Sequence, residues 1–440
     1  MIILRQVLIS IAAALLIWRI GVVGISSHYA QAIIEGERDA VGKALAWDKR
    51  QPEALYRQAV ALHNDDPDTA ATLLAQANTH DMADARPFFA AARAALTRGN
   101  QARADALVEM ALRLKPADPR IQRQAGDYWL RRNDVRRAIS HYSRTLEITQ
   151  GAWSKLFPPL LKLAENPHTR PAYEILATSP PAWWDSFFSE VAKRATEIET
   201  VRQLYSLRRK SGQAPITLSE RKSYVARLMK DELTARAYSV WLNGLTDDQR
   251  KRLGPLYDGS FELEPGNWGF DWHIHTPRNA LIDRLYTYGS DESKSLHIGF
   301  NHYQGHFSGS LYQKLFLAAG TYQLRGRVHT DSLDTDTQEG RVHTSLDTQG
   351  GLKWVIRCLL PQPEELGESE RFLGANEWRN FGFEFQVPEA CKLQEIHLVS
   401  VEKHRGGKHQ ITGDAWFDRL AIHKRPPPVK ARPTAARAVK

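Results

Sequence analysis

The sequence predicts a multidomain protein, α first and then β, with one N-terminal transmembrane helix, a helical-repeat α-solenoid and a C-terminal antiparallel β-sandwich. Three observations carry this prediction. Residues 7–25 are apolar apart from Ser10 and Arg19. Small residues then recur at a spacing of 34: Ala70, Ala104 and Ala138, and Ala92 and Gly126, with Leu74, Val108 and Tyr142 in step. That period is the length of a helix–turn–helix unit whose close helix crossings need small side chains. At Gly254-Pro255 the texture changes to period-two alternation cut by Gly, Asn and Asp turns, which argues short antiparallel strands.

Taken in order, residues 1–28 read as a transmembrane signal anchor. Nineteen apolar residues as a helix span about 28 Å, close to the hydrocarbon thickness. Arg19 lies near the far end, where its side chain reaches the interface, and Trp18 beside it suits an interfacial belt. Arg5 flanks the near side, whereas Glu35, Glu37 and Asp39 outnumber Arg38 on the far side. Positive-inside logic places the N-terminus in the cytoplasm and the bulk of the chain in the periplasm, anchored by one pass in the inner (cytoplasmic) membrane. The alternative is secretion after cleavage at the small-x-small site Gly24-Ile25-Ser26.

Residues 29–150 hold the repeats. In the clearest unit, Ala125, Gly126 and Tyr128 sit on a first helix, Asn133-Asp134 make the turn, and Ala138, Tyr142 and Leu146 sit on a second. Pro116 closes the unit before it, because proline cannot continue a helix. These residues resemble the tetratricopeptide repeat. The resemblance covers about two and a half units, departs at Met82 and Gln150, where the closing Pro is missing, and lacks the early Trp. It implies a groove for a protein partner. Residues 151–254 read as a continuing helical array, with Trp183, Trp184, Phe187 and Phe188 expected as core between helices.

Residues 255–423 read as the β-sandwich. Gly259, Phe261 and Glu262, then the Ala319–Gly320–Thr321–Tyr322 turn, then Trp378, Phe381, Phe383 and Phe385, and finally Trp416, Phe417, Asp418 and Leu420 follow one another in an order that resembles the galactose-binding-like jelly roll of carbohydrate-binding modules. That resemblance implies a glycan or protein ligand, and a structural calcium between Glu262 and Asp418, since calcium takes carboxylate oxygens readily. No other cofactor is expected. A near-repeat, Gly326 to Thr335 and again Gly340 to Thr348, reads as a small duplication that lengthens one hairpin or loop. Residues 424–440 are Pro/Ala-rich and basic, and read as a disordered tail.

Candidate site residues follow from chemistry. Trp268, Trp272, Tyr303 and Trp354 are candidates for stacking on the C–H face of a sugar, with core packing as the alternative for each. Arg123, Arg131, Arg132, Arg136 and Arg137 crowd one repeat as a candidate face for an anion or acidic partner, a solvated helix surface being the alternative. His273 with His275, and His302 with His306, have side chains suited to a transition metal but no third ligand at a known spacing. Cys358 and Cys391 are either a disulfide or two buried thiols. Export to an oxidising compartment favours the disulfide.

The formal charge of +9 is uneven: residues 1–254 carry a net +10, residues 255–423 a net −7 and residues 424–440 a net +6. The basic parts suit acidic proteins, anionic glycans or phospholipid head groups, and the membrane segment argues against nucleic acid. No Gly-rich phosphate loop, nucleophile elbow or His-Glu-x-x-His motif occurs. Glu364, Glu365, Glu368 and Glu370 read as solvated acids in a polar loop. The expectation is a non-catalytic envelope scaffold that binds a protein through its repeats and a glycan or protein through its jelly roll, accessory to exopolysaccharide or cell-envelope assembly. The alternative is an envelope glycan-modifying enzyme with its site in the β domain.

Overall fold

The apolar run and the residues after it make one helix, α1 (Ile2–Glu35), with no proline to break it. Its stretch from Arg5 to Glu35 is long and apolar enough to cross a membrane, with a mean hydropathy of 2.3. Up to Ile25 the large apolar side chains among the described residues are exposed, Ile17 at 72% and Trp18 at 67%, apart from the half-buried Val22. From Ser26 the environment reverses. Ser26, Ala30 and Ile33 are buried, and Ile33 shares a core with Ala40, Ala44 and Ala54. The Ser26 hydroxyl donates to the Ala44 carbonyl of α2 (Ala40–Trp47) at 3.0 Å. A single helix is therefore an exposed apolar rod at one end and the first helix of the solenoid at the other. The boundary expected at residue 28 falls inside it. The chain is seen here as a computed structural model that describes residues 2–37, 39–211, 214–287, 294–301, 303, 305, 307–334, 350–401 and 411–426.

Three helical hairpins follow: α3 (Pro52–Leu62) with α4 (Pro67–His80), α5 (Arg86–Thr97) with α6 (Gln101–Leu114), and α7 (Pro119–Arg131) with α8 (Val135–Ile148). Proline opens α3, α4 and α7, where its missing N–H costs nothing. Asp66, Asn100, Asp118 and Asp134 each accept a backbone N–H of the turn that follows and so cap α4, α6, α7 and α8. The residues spaced by 34 are buried in every hairpin: Ala70, Leu74, Ala92, Ala104, Val108, Ala138 and Tyr142. Gly126 shows why the position is small. A Cβ there would lie 2.5 Å from Tyr142 Cε1, so the phenol ring lies directly against the α7 backbone. With α9 (Trp153–Glu165) and α10 (Glu174–Thr178), these helices make a first compact unit, residues 1–184.

The second unit, residues 185–440, combines helices and sheets. Its helices are α11 (Trp184–Arg194), α12 (Ile198–Ser211), α13 (Leu218–Lys230), α14 (Thr234–Leu242) and α15 (Asp247–Arg250). Two buried arginines tie them together. Arg208 on α12 pairs with Glu220 on α13, both fully buried, at 2.7 Å. Arg227 on α13 donates to the carbonyls of Ala192 and Ala195, which satisfies the C-terminal end of α11. Trp241 and Tyr238 of α14 then pack against Tyr257 and Phe270 of the segment that leads into the sandwich. Gly269 (φ +63°) admits the indole, because a Cβ would lie 2.6 Å from Trp241 Cδ1. The change from helix to strand falls between Arg250 and Trp272, inside this one compact unit. Helices 185–250 belong with the sandwich.

The sandwich is two five-stranded antiparallel sheets. One runs in the order β1 (Trp272–Ile274), β4 (Leu311–Leu315), β9 (Leu393–Ser400), β6 (Leu352–Leu360), β7 (Glu364–Glu368). The other runs β2 (Ala280–Tyr286), β3 (Lys294–Phe300), β10 (Thr412–Lys424), β5 (Gly320–Asp334), β8 (Gly374–Val387). Alternate residues of both sheets meet in one core, among them Leu296, Ile298, Leu324, Val328, Ile356, Ile396, Leu398, Ala415 and Phe417. Cys358 at the end of β6 and Cys391 just before β9 are joined in a disulfide, with Cα atoms 5.9 Å apart. One expectation is corrected. Glu364, Glu365 and Glu368 do not lie in a loop but form edge strand β7, where Lys353 of β6 holds the Glu368 carboxylate. Acidic side chains on an edge strand discourage pairing with another chain.

Candidate functional site

Period-two alternation sends Ala415 and Phe417 of β10 into the core and Trp416 outward, half-buried, on the outer face of its sheet. Strand register then lines up partners. Trp416 stands opposite His297 of β3 on one side and His329 of β5 on the other. The rings stack as a row across the sheet: His297 to Trp416 at 4.8 Å, Trp416 to His329 at 4.8 Å, and His329 to Trp378 of β8 at 5.7 Å. The Arg327 guanidinium covers Trp378 at 5.1 Å. Hydrogen bonds fix the row. The two ring nitrogens of His297 each lie 2.8 Å from a carboxylate, Asp283 and Asp414, and His329 Nδ1 lies 2.7 Å from the Asn376 carbonyl. The result is a row of rings packed face against face, which turns ring edges, two carboxylates and a guanidinium towards the outer side of the sheet. Such a row offers polar groups in fixed positions that can hydrogen-bond the hydroxyls of a sugar.

Beneath the same sheet face lies Asp418, fully buried on β10. Its Oδ1 accepts the Arg419 N–H, and its Oδ2 accepts no hydrogen bond among the described residues. Burial pushes its carboxyl up to about 6, and the charge of Glu262 pushes in the same direction. No three His, Cys, Asp or Glu side chains converge on one point among the described residues. The Arg419 guanidinium lies 3.9 Å from Asp418 Oδ2.

Two predicted platform residues are corrected. Trp272 and Trp354 are 2% and 0% exposed and lie 6.0 Å apart in the sandwich core, where no sugar reaches them. Trp272 faces inward at the sheet edge and gives its indole N–H to the Asp258 carbonyl. Trp268 is half-buried in the turn before β1, and Tyr303 is 69% exposed in the connection between β3 and β4. Neither belongs to the ring row. His273 is buried and stacked on Tyr312, and burial pushes its imidazole down to about 4. His302, His306, the second copy of the near-repeat and residues 427–440 lie outside the described residues.

In the first unit, helices α3, α5 and α7 line a concavity of about 260 Å³. Tyr56, Phe89 and Tyr128 supply apolar surface, Arg93, Arg123 and Arg131 supply positive charge, and Asp127, paired with Arg123 at 3.2 Å, supplies one negative charge. The predicted arginine face is thereby divided. Arg123 and Arg131 line the concavity, but Arg132 pairs with Asp105 of α6 at 3.3 Å, and Arg137 stacks on Trp129 at 4.2 Å and pairs with Asp134. Helical geometry is the reason, since neighbours in sequence project about 100° apart and five arginines crowded in sequence on two helices do not make one surface. Arg136 is exposed and does not line the concavity.

No protein-family model matches the chain, and no curated protein matches it in sequence. Solved structures similar to it include tetratricopeptide-repeat proteins over the helical half and carbohydrate-binding modules over the β half. PilF of Pseudomonas aeruginosa is 17% identical, covering 51% of this chain and 90% of its own, with a TM-score of 0.26. A family 16 carbohydrate-binding module is 14% identical, covering 39% of this chain and 100% of its own, with a TM-score of 0.25. The enzymatically active domain of tailspike protein 4 of bacteriophage CBA120 is 13% identical over 40% of this chain, with a TM-score of 0.27, and the chain spans only 21% of its length.

Proposed function

We propose that this chain is a non-catalytic, membrane-anchored scaffold of the cell envelope that binds a polysaccharide on the outer face of its β2–β8 sheet and a protein partner in its helical concavity, as an accessory part of exopolysaccharide or envelope assembly. The ring row built on Trp416 carries the glycan reading. Its rings are immobilised before any ligand arrives, which lowers the entropy cost of binding. The helical concavity combines aromatic surface with three arginines, a chemistry that suits an acidic peptide segment. The test is binding of the full-length protein in detergent to a panel of polysaccharides. Trp416→Ala and Trp378→Ala each weaken the binding by at least about tenfold, which corresponds to about 1.4 kcal/mol. Unchanged affinity in both variants removes the sheet face from the reading, and turnover of any bound polymer replaces the scaffold with the enzyme.

The anchor reading is supported by α1 itself. Processing after Ser26 would remove the hydroxyl that bonds Ala44 and would cut a helix whose far half is core. Membrane fractions are therefore expected to contain the chain with residues 1–26 intact, read by mass spectrometry of the N-terminal peptide. A mature N-terminus at Ser27 in a soluble fraction overturns the anchor.

We also propose a structural calcium held by Asp418 and Glu262. It would supply positive charge to a buried carboxylate oxygen that lacks a donor. Millimolar calcium is expected to raise the melting temperature of the second unit by several degrees relative to EDTA, and Asp418→Asn to abolish the difference. Equal melting temperatures with calcium and with EDTA exclude the ion.

A further inference from the structure

We infer that the turn between α2 and α3 rests in the head-group layer of the bilayer and binds acidic phospholipid there through Trp47, Lys49, Arg50 and Arg19. This inference rests on the anchor reading above and adds a lipid class to it. The α1–α2 hairpin sets the depth. The short turn 36–39 joins its helices, Ile33 and Ala40 share one core, and the Ser26 hydroxyl lies on the Ala44 carbonyl, so α2 runs back down along α1. Three more residues of α2 descend about 4.5 Å, which brings Trp47 past Ser26 to the level of Val22 and Val23. The cover on α1 agrees with this. Among the described residues from Arg5 to Ile25, Val22 alone is half-buried and the others are exposed. The end of α2 therefore reaches below the point where the apolar rod begins.

Side-chain chemistry sorts along the same axis. Trp47 is 44% exposed at the lower end of α2. An indole suits the boundary between acyl chains and head groups, because its ring is apolar and its N–H polar. Lys49 and Arg50 follow in the turn, both exposed, and no carboxylate pairs with either side chain among the described residues. The nearby acids are occupied: Asp48 accepts the Arg50 backbone N–H at 3.0 Å, and Glu53 pairs with Arg57 and Arg86. Arg19, Val22, Ser26, Ala30 and Ile33 recur at steps of three and four, so Arg19 lies on the side of α1 that faces the hairpin. It stands one turn below Val22 without a carboxylate partner among the described residues, and a head-group phosphate is the anion within reach of so long a side chain. Glu35, at the opposite end of the hairpin with Glu37 and Asp39, is about 14 Å along α1 from Ser26. Bases thus face the bilayer and acids face away from it, and ammonium and guanidinium groups at that level attract anionic lipid.

The experiment uses the full-length chain in phosphatidylcholine vesicles, with an NBD fluorophore on one introduced cysteine. Cys358 and Cys391 are bonded to each other and take no label. Equal small amounts of phosphatidylglycerol or phosphatidylcholine, each carrying a nitroxide near the top of an acyl chain, serve as quenchers. At Ala46→Cys, next to Trp47, the acidic lipid is expected to quench at least about twofold more than the zwitterionic one, with a preference that shrinks as salt rises. Adding Lys49→Gln/Arg50→Gln is expected to remove most of that preference with the melting temperature unchanged, since both side chains are exposed. A label at Asn64→Cys, beyond the upper end of α3, is expected to be quenched by neither lipid. A label at Trp18→Cys reads the rod by itself and is expected to be quenched by both. Quenching at 18 with none at 46, equal quenching at 46 by the two lipids, or a preference undiminished in the double variant overturns this inference and leaves the anchor standing. No quenching at 18 overturns the anchor and this inference with it.

Discussion

Replacing Arg208 with leucine is expected to lower the stability of the second unit by about 3–5 kcal/mol, measured as the shift of its urea transition in the full-length chain. Arg208 and Glu220 are both fully buried. The guanidinium meets the carboxylate at 2.7 and 3.2 Å and also donates to the Pro215 carbonyl at 2.9 Å. Glu220 in turn accepts the Thr217 N–H at 2.8 Å and closes the capping box that starts α13. The substitution leaves an anion in a dry interior with its main counter-charge gone, and that desolvation penalty is the source of the loss. The double variant Arg208→Leu/Glu220→Leu removes both charges and is expected to be more stable than Arg208→Leu alone, which strict additivity forbids. A loss below 1 kcal/mol in the single variant would contradict the burial of the pair.

The second large effect concerns the disulfide. Cys358 and Cys391 are 33 residues apart, and closing a loop of that length stabilises the fold by about 3–4 kcal/mol through the entropy of the unfolded chain. The enclosed segment is β7, β8 and their turns, so the bond fastens the end of β6 to the entry of its sheet neighbour β9 and closes a loop whose strands belong to both sheets. Cys358→Ser/Cys391→Ser, or production under reducing conditions, is expected to shift the urea transition of the second unit by that amount. A shift under 1 kcal/mol would show that the sandwich does not depend on the bond. With the full shift of about 3–4 kcal/mol, protein made in a reducing compartment is markedly less stable than exported protein, which links the bond to the proposed location.

Much of the architecture was legible because it depends on local rules. The spacing of 34 located the solenoid, since each small residue sits where two helices touch, and Tyr142 against Gly126 is the clearest case. Alternation located β4, β5, β6, β8, β9 and β10. It missed β2 and β3, where a turn-like stretch rich in Asp, Ser and Tyr interrupts the pattern, and β7, whose glutamates looked like a solvated loop. The site was less legible. Tryptophan alone does not say which way it points: Trp272 and Trp354 went to the core, whereas Trp378 and Trp416 face outward. The parity of Trp416 against Ala415 and Phe417 was the available signal. Its stacking on His297 and His329 depends on register between strands far apart in sequence, which one-dimensional pattern does not contain. The break between compact units also escaped composition, because α14 looks like any other helix until Gly269 admits its Trp241.

The unbroken α1 has a consequence for where partners can be met. Between the last lipid-suited side chain, Ile25, and the first one engaged with the repeats, Ser26, no residue is spare. With the rod in lipid there is no flexible leash. The opening hairpins are then held at the bilayer surface, and the tilt of the rod is passed to them as a lever passes a torque. On the proposed anchor and partner reading, a partner held near α3 would stay within a few nanometres of the head groups, its local concentration set by rigid geometry instead of by tether length. Inserting glycines after Ile25 would loosen that coupling while leaving both ends chemically intact.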